Sequence, residues 1–367
     1  MTGPPEQKEI PPADRSTVFI RLPNWVGDAV MATCVLRCVR MGAPGGKIIA
    51  AGRPKLAELL NGSGFVDEFL PLRTETVSES IREGLRLRGC VDLALVLPNS
   101  FRSAVLPFVA GAKRRIGYAQ QGRAFLLTCA LKAPPGEGRR RLPEPMPTYW
   151  RRLTEAVPFP WQGDHPELTV TEKEREAGRA QARTLGIEEG EKLVGLSPGA
   201  AYGPSKIWEP GRFAAVAAGL YKELGLRAVV FVAPGEEPLA ERITSAASSP
   251  IISTAASPLS LGECKAFLER CAVLITADSG MRHIAVALGI PTVTIIGPTD
   301  PRYTAYCLER QEVVAASGVE CLGCHKRVCP TDHRCMTEIA PETVLQRTLE
   351  LLRRVARREN AGPKQRG

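Results

Sequence analysis

The chain has 367 residues, 44% of them hydrophobic, which gives room for two domains of ordinary size with a packed core in each. No apolar run approaches the roughly 20 residues of a membrane-spanning helix, and the first residues lack the basic start and apolar core of a secretory signal. A soluble cytoplasmic protein is therefore expected, one still able to touch a membrane.

The net charge of +9 is uneven. Residues 1–160 carry 23 Lys/Arg against 14 Asp/Glu, while residues 161–367 carry 25 against 25. The front half thus calls for an anionic partner (phosphorylated sugar, lipid surface or nucleic acid), set against the plainer reading of solvated surface charge. Eleven cysteines is an odd number, and seven of them are scattered through apolar contexts, which fits a reducing compartment better than a disulfide framework.

Residues 1–15 are rich in proline and charge and read as a flexible tail. A β-branched run over 17–22 then predicts a strand, and RLPNWVGDAVMA (21–32) places Asp28 where that strand hands over to a helix over 28–41. Asp28 has two readings, a helix-start carboxylate satisfying free N–H groups or a catalytic base. Strands follow at 47–51 and 91–97, with helices at 54–61, 78–87 and 100–110. Such alternation predicts a parallel sheet with helices on both faces. Basic residues gather as Arg102, Lys113-Arg114-Arg115, Arg123, Arg139-Arg140-Arg141 and Arg151-Arg152, a supply of guanidinium groups able to grip phosphate or carboxylate bidentately.

The Pro-, Gly- and Arg-rich segment 133–147 reads as a loop, and 148–190 as a connector with one helix around 172–185. The α/β pattern then begins again. Strands are predicted at 192–196, 227–232, 273–276 and 292–296, and helices at 210–223, 236–247, 260–270 and 280–288. A last helix, 341–358, could reach back to the first domain. Two open parallel sheets in series predict a cleft lined by the loops at the carboxyl ends of their strands.

Three patches carry chemistry. In LSPGAAYGPSKIW (196–208) a strand runs into a glycine-containing loop ending at Lys206; this is no P-loop, but a lysine there suits phosphate neutralisation, against the reading of a capped turn with an exposed lysine. In ITADSGMRHIAVALGIPTVTIIGPTDP (275–301) a helix starts directly after Asp278. The N–H groups of Ser279, Gly280 and Met281 would face an anion, His283 can add a donor, and Asp278 would order the turn or bind a hydroxyl; simple helix capping is the alternative. CLGCHKRVCPTDHRC (321–335) offers Cys321, Cys324, Cys329 and Cys335 as ligands of a structural zinc, or as a reduced or disulfide-bonded cluster.

Taken in order, RLPNWVGDAVMA, RRIGY, SPGAAYGPSKIW, ADSGMRHIAVALG, IIGPTDPRYT and the cysteine tail resemble the ADP-heptose:lipopolysaccharide heptosyltransferases of glycosyltransferase family 9, most closely the heptosyltransferase II branch. The likeness spans roughly residues 17–350. It implies a GT-B architecture, two Rossmann-like domains facing an interdomain cleft: an acceptor domain over 16–170, a connector over 171–190, an ADP-sugar domain over 191–340, the helix 341–358 and a tail 359–367.

The implied reaction is inverting and independent of metal cofactors. A heptose passes from ADP-L-glycero-D-manno-heptose to the heptose of the lipid A–inner core acceptor, at the cytoplasmic membrane face. By the same resemblance Asp28 is the general base and Lys206 the contact to the donor diphosphate. Donor-binding candidates are Ser197, Gly199, Tyr202, Lys206, Glu236, Leu259 (adenine pocket), Asp278, Ser279, Gly280 and His283; acceptor-binding candidates are Asn24, Trp25, Arg102, Lys113, Arg114 and Arg115. Ala201 and Ala277 depart from the acidic residue and the Asn that this branch commonly shows, which bears on the donor sugar. The competing readings are a GT-B transferase with another nucleotide sugar and a zinc-bearing nucleic-acid-binding protein. A nicotinamide dehydrogenase is disfavoured by the missing G-x-G-x-x-G turn.

Overall fold

The computed structural model describes residues 16–137 and 140–360. The predicted tail 1–15, Arg139 of the arginine run and residues 361–367 lie outside them. The chain divides into two compact units, one ending at Glu167 and the other beginning at Leu168.

The first unit contains β1 (Thr17–Arg21), α1 (Val26–Met31), α2 (Thr33–Gly42), β2 (Lys47–Gly52), α3 (Lys55–Leu60), β3 (Glu68–Pro71), α4 (Val77–Arg86), β4 (Leu93–Val96), α5 (Phe101–Val109), β5 (Arg114–Tyr118), β6 (Cys129–Leu131), the short antiparallel pair β7 (Gly136–Glu137) and β8 (Arg140–Arg141), and α6 (Met146–Thr154). Its six-stranded sheet has the order β3-β2-β1-β4-β5-β6 and is parallel throughout. Val18, Phe19 and Ile20 of β1 and Leu93–Val96 of β4 are wholly buried, as central parallel strands must be when helices cover both faces.

The second unit contains α7 (Glu172–Thr184), β9 (Leu193–Ser197), α8 (Pro210–Leu224), β10 (Ala228–Val230), α9 (Glu237–Ser245), β11 (Ile251–Ser253), α10 (Leu261–Leu268), β12 (Cys271–Ala277), α11 (Gly280–Ala287), β13 (Thr292–Ile295), β14 (Gln311–Val314), α12 (Arg334–Thr337) and α13 (Pro341–Asn360). Its sheet repeats the order, β11-β10-β9-β12-β13-β14, again parallel throughout. In each unit the chain builds outward from one side of the first strand and then returns to build on the other. Each therefore has a topological switch point, between β1 and β4 and between β9 and β12, where loops diverge and ligands bind in such sheets. Two Rossmann-like units in succession are the ingredients of the GT-B class.

Three expectations change. The helix predicted over 28–41 is two helices meeting at Ala32, because the Thr33 hydroxyl bonds the Val30 carbonyl at 2.7 Å and accepts the Glu167 N–H at 2.9 Å, pulling the backbone out of a continuous ladder. The predicted loop 133–147 holds the β7–β8 pair and the start of α6. The connector helix is α7, an integral part of the second unit: its Thr171/Glu174 capping box starts it, Gly178 lies against Ala266 of α10, and wholly buried Lys265 pairs with Glu174 at 3.0 Å. α13 also puts Val344, Leu349, Leu351 and Val355 into the second unit's own core.

Candidate active site

At the second switch point, the loop after β9 carries Lys206 in a 3-10 turn (Pro204–Lys206), and the loop after β12 carries Asp278 and Ser279 into α11. The two loops are locked together. Lys206 Nζ donates to Asp278 Oδ2 at 2.7 Å and to the Asp278 carbonyl at 2.8 Å, in a site where both side chains are only about a tenth exposed. The other Asp278 oxygen accepts from Arg282 at 3.1 Å, and Thr299 Oγ1 donates to Oδ2 at 2.8 Å. Burial pushes the Asp278 carboxyl up, but Lys206 and Arg282 more than offset this and hold it far below the usual carboxylate range. With two buried cations and one carboxylate, the pocket carries a net positive charge and still has a third Lys206 N–H to offer.

The first turn of α11 adds to that field. Ser279 is its N-cap yet makes no side-chain cap; its hydroxyl turns to Thr276 Oγ1 at 3.2 Å. Asp278 is likewise engaged with Lys206, Arg282 and Thr299, and the N-cap of α11 makes no side-chain cap. His283 is buried, bonded through Nδ1 to the Tyr306 hydroxyl, and held down to about 3 by burial and by Arg282 beside it, so it is neutral and faces Tyr306.

The sign of the resulting pH effect follows. Between its ordinary value of 6.5 and about 3, the unfolded chain binds a proton at His283 that the folded chain refuses, so stability is lost as pH falls through that window. The slope is at most about 1.4 kcal/mol per pH unit. Urea unfolding of the wild type and His283→Gln, from neutral pH to about 4, checks it; the variant should show the shallower decline.

Gly199 and Glu236 meet across the ends of β9 and β10. A Cβ at Gly199 would lie 2.0 Å from a Glu236 carboxylate oxygen, so glycine is what lets that carboxylate cross the loop, anchored by the Ala233 N–H at 3.0 Å. Ser197 is buried at the end of β9, in register with Thr276 of β12, and Leu259 is half-buried in the loop after β11. All three are therefore on the carboxyl edge that carries Lys206. Tyr202 places its ring 4.9 Å under the Lys206 ammonium.

Of the readings open for the cysteine segment, the structure shows free thiols. None of its four cysteines is in a disulfide, and they line a cavity of about 110 Å³ with Ser205 and His333. No three of the four sulfurs gather within 4.8 Å of one another, whereas zinc–sulfur bonds of ~2.3 Å need sulfurs about 3.8 Å apart. The geometry does not fit the proposed zinc. What the segment does is brace the lysine turn: Ser205 Oγ donates to the Lys326 carbonyl at 2.6 Å, Ser205 N to the Arg327 carbonyl at 3.1 Å, and His333 Nε2 is 2.6 Å from the Ser205 carbonyl. Gly203, at φ +155, is pressed so close to Arg327 that a Cβ would fall 2.6 Å from its carbonyl oxygen.

In the first unit, Asp28 stands in the first turn of α1, directly after β1 at the switch point, partly exposed beside buried Ala29 and Val30. The N-cap is exposed Trp25, with no side-chain cap. Beside it lies a network that the sequence did not reveal. Buried Arg21, the last residue of β1, donates to Glu75 at 3.0 Å and to Asn24 at 3.1 Å; Asn24 and Arg53 donate to the other Glu75 oxygen at 3.0 and 3.2 Å. Arg102 donates to the Glu75 carbonyl at 2.6 Å. Glu75 takes φ +51, held there by Glu79, whose carboxylate accepts the N–H groups of Arg73, Thr74 and Glu75. The segment TETVSE, with Thr76 also capping Glu79, is the signal that could have pointed to it.

Lys113, Arg114 and Arg115 do not join this edge. They stand at the amino end of β5 and its approach, opposite the Asp28 edge of a parallel sheet. Lys113 pairs with Asp92 at 2.7 Å, Arg114 donates to the Ala156 carbonyl at 2.9 Å, and Arg115 donates to the carbonyls of Leu126 and Ala112. Arg123 is wholly buried and holds the loop after β4, bonding the carbonyls of Pro98 and Ser100 and the Ser103 hydroxyl. These are architectural arginines; they explain part of the basic excess without any ligand.

Residues 81–335 match the model of glycosyltransferase family 9 (heptosyltransferase). The chain is 28% identical to lipooligosaccharide heptosyltransferase 2 of Haemophilus influenzae, over 91% of this chain and 99% of that one. It is 27% identical to lipopolysaccharide heptosyltransferase 2 of Escherichia coli, over 90% and 97%. Among solved structures it resembles the ADP-heptose LPS heptosyltransferase II of E. coli, with a TM-score of 0.75 at 25% identity over 93% of this chain and 99% of that one. A family 9 glycosyltransferase from Veillonella parvula shares the fold, with a TM-score of 0.79 at 20% identity and coverage of 93% and 98%.

Proposed function

Because the chain belongs to glycosyltransferase family 9, the heptosyltransferases, we propose that it moves a heptose from ADP-L-glycero-D-manno-heptose onto the first heptose of the lipopolysaccharide inner core, with inversion. The observation that carries this reading is the buried Lys206–Asp278–Arg282 constellation at the start of α11. It is net positive, preorganised, and set at a helix N-terminus, which is what a leaving diphosphate needs.

In the proposed reaction the acceptor hydroxyl oxygen bonds the anomeric carbon while its proton passes to the Asp28 carboxylate. The bond from that carbon to the phosphate oxygen breaks, and ADP departs with the electron pair. Lys206 and the α11 N–H groups meet the charge that develops on the phosphate, so the chain itself supplies the neutralisation and no metal cofactor is called for. In this reading Glu236, beside Gly199, takes the ribose hydroxyls, and Leu259 the adenine.

Arg53, Arg102 and Asn24 replace the β5 residues as the acceptor contacts: two exposed guanidinium groups already oriented by Glu75 suit the carboxylates and phosphates of an inner core. No nucleic-acid partner is part of this proposal. No helix among the described residues is long and apolar enough to cross a membrane, and a peripheral hold on the inner membrane is part of the proposal.

The test is incubation with ADP-heptose and an acceptor bearing a single core heptose. The expected result is ADP release matched by a product one heptose heavier. Release of UDP or GDP from other nucleotide sugars, with none of ADP, would move the assignment to a different donor.

A further inference from the structure

A helix packed on a globular unit normally buries its apolar stripe and shows its polar face. In the first unit, α4 does the reverse. Val77, Ile81 and Leu85, one turn apart along a single ridge, are 41, 41 and 52% exposed, while Glu79 and Glu83 are each 4% exposed and Ser80 and Gly84 are buried with them. The inward polar residues are satisfied within the helix and the turn before it. Glu79 holds three backbone N–H groups, Ser80 Oγ donates to the Thr76 carbonyl at 3.0 Å, and Glu83 takes Arg82 and Arg86 at 3.0 and 3.1 Å. Gly84 seats the helix on α5, where a Cβ would fall 2.8 Å from the Leu106 carbonyl. The apolar ridge is therefore held outward.

The neighbouring elements extend it. α5 exposes Phe101 and Phe108, and Phe125, 69% exposed, lies with its ring 6.0 Å from that of Phe101. The charged rim is basic. Arg82 and Arg86 extend from α4 with side chains 62 and 70% exposed, and Arg73, Arg88 and Arg102 are exposed around it. The acidic groups here are already engaged: Glu79 by backbone donors, Glu83 by its two arginines, Glu75 by Arg21 and Arg53. Exposed aliphatic and aromatic side chains on two packed helices, with a positive rim, are complementary to an anionic bilayer, where apolar groups enter the acyl boundary and guanidinium groups meet phosphates.

We propose that the ridge of α4, with Phe101, Phe108 and Phe125 beside it, is the face by which this protein docks on an anionic lipid bilayer. It deepens the functional reading and takes its purpose from it. Arg102 belongs both to this rim and to the Glu75 network, so docking would present the acceptor contacts to the surface in which a lipid-anchored acceptor resides.

Vesicle flotation of the full-length protein tests it, without any catalysis being read. Wild type should partition onto vesicles of phosphatidylcholine mixed with phosphatidylglycerol, less so onto phosphatidylcholine alone, and salt should weaken the difference. The triple variant Val77→Ser/Ile81→Ser/Leu85→Ser should partition about tenfold or more weakly, while keeping its thermal transition and its turnover on a delipidated, soluble acceptor. Equal partitioning of variant and wild type, or no binding of wild type to either vesicle, overturns the proposal. So does a wild-type self-association in solution that the variant abolishes without any vesicle binding, which would make the ridge a contact between copies. A protein that docks but transfers no heptose would leave this proposal standing and sink the functional one.

Discussion

Asp28→Asn is expected to lower kcat by about 10²–10⁴-fold, the range for a positioned general base, while donor affinity stays near wild type. The substitution keeps the shape and the α1 position and removes the ability to take a proton. Its structural alternative is specific. Asp28 lies in the first turn of α1, where a carboxylate favours the helix dipole by roughly 0.3–1 kcal/mol. That role predicts a small loss of unfolding free energy in the variant and an unchanged kcat. The two roles therefore separate by measurement, kcat on the soluble acceptor against the midpoint of chemical unfolding. A variant with wild-type kcat puts the base elsewhere. The exposed N-cap Trp25 makes no side-chain cap. The network next to it, Arg21, Asn24 and Glu75, instead commits its polar groups to fixing the chain just before Asp28.

How much of this was legible varied with burial. The central strands β1, β2, β4, β9, β12 and β13 announce themselves as apolar runs because a parallel sheet covered on both faces admits nothing else. The edge strands β3, β6, β11 and β14 have three or four residues each and only half-buried patterns for the most part, and no such run marks them. β5 was hidden by its two leading arginines, whose aliphatic stems and carbonyl-directed heads are part of the architecture. Lys206 and Asp278 were each legible from glycine-containing strand ends. Their mutual bond was not, because residues 72 apart meet only once β9 and β12 pair. The same holds for Arg21 with Glu75. The cysteine tail misled for a chemical reason: C-x-x-C spacing reports on thiols, while the contacts that matter to the lysine turn come from the backbone of Lys326 and Arg327 and from His333. α4 reads as an ordinary amphipathic helix from its periodicity, which gives a stripe but not the side on which the core lies.

Lys206→Met should cost about 10²–10³ in kcat/KM, with donor affinity weakened roughly 10- to 100-fold, because the variant keeps the packing on Tyr202 and loses only the charge that meets the diphosphate. Breaking a buried ion pair usually costs about 3–5 kcal/mol, since the surviving charge is stranded. Here the surviving charge is Asp278, which retains Arg282 at 3.1 Å and Thr299 at 2.8 Å, so the loss of stability should fall well short of that range. Asp278→Ala is the contrasting case. It leaves Lys206 and Arg282 buried with no carboxylate between them, and the full penalty should appear as a lowered Tm. The pair of variants thus separates binding from scaffolding: one loses donor affinity with a modest change in stability, the other loses stability first. Calorimetric titration with ADP and chemical unfolding, run on both proteins, distinguish the two losses. A Lys206→Met protein that binds ADP as tightly as wild type would mean that the ammonium exists to hold the β9 and β12 loops together, and that the phosphate charge is met by the start of α11 alone.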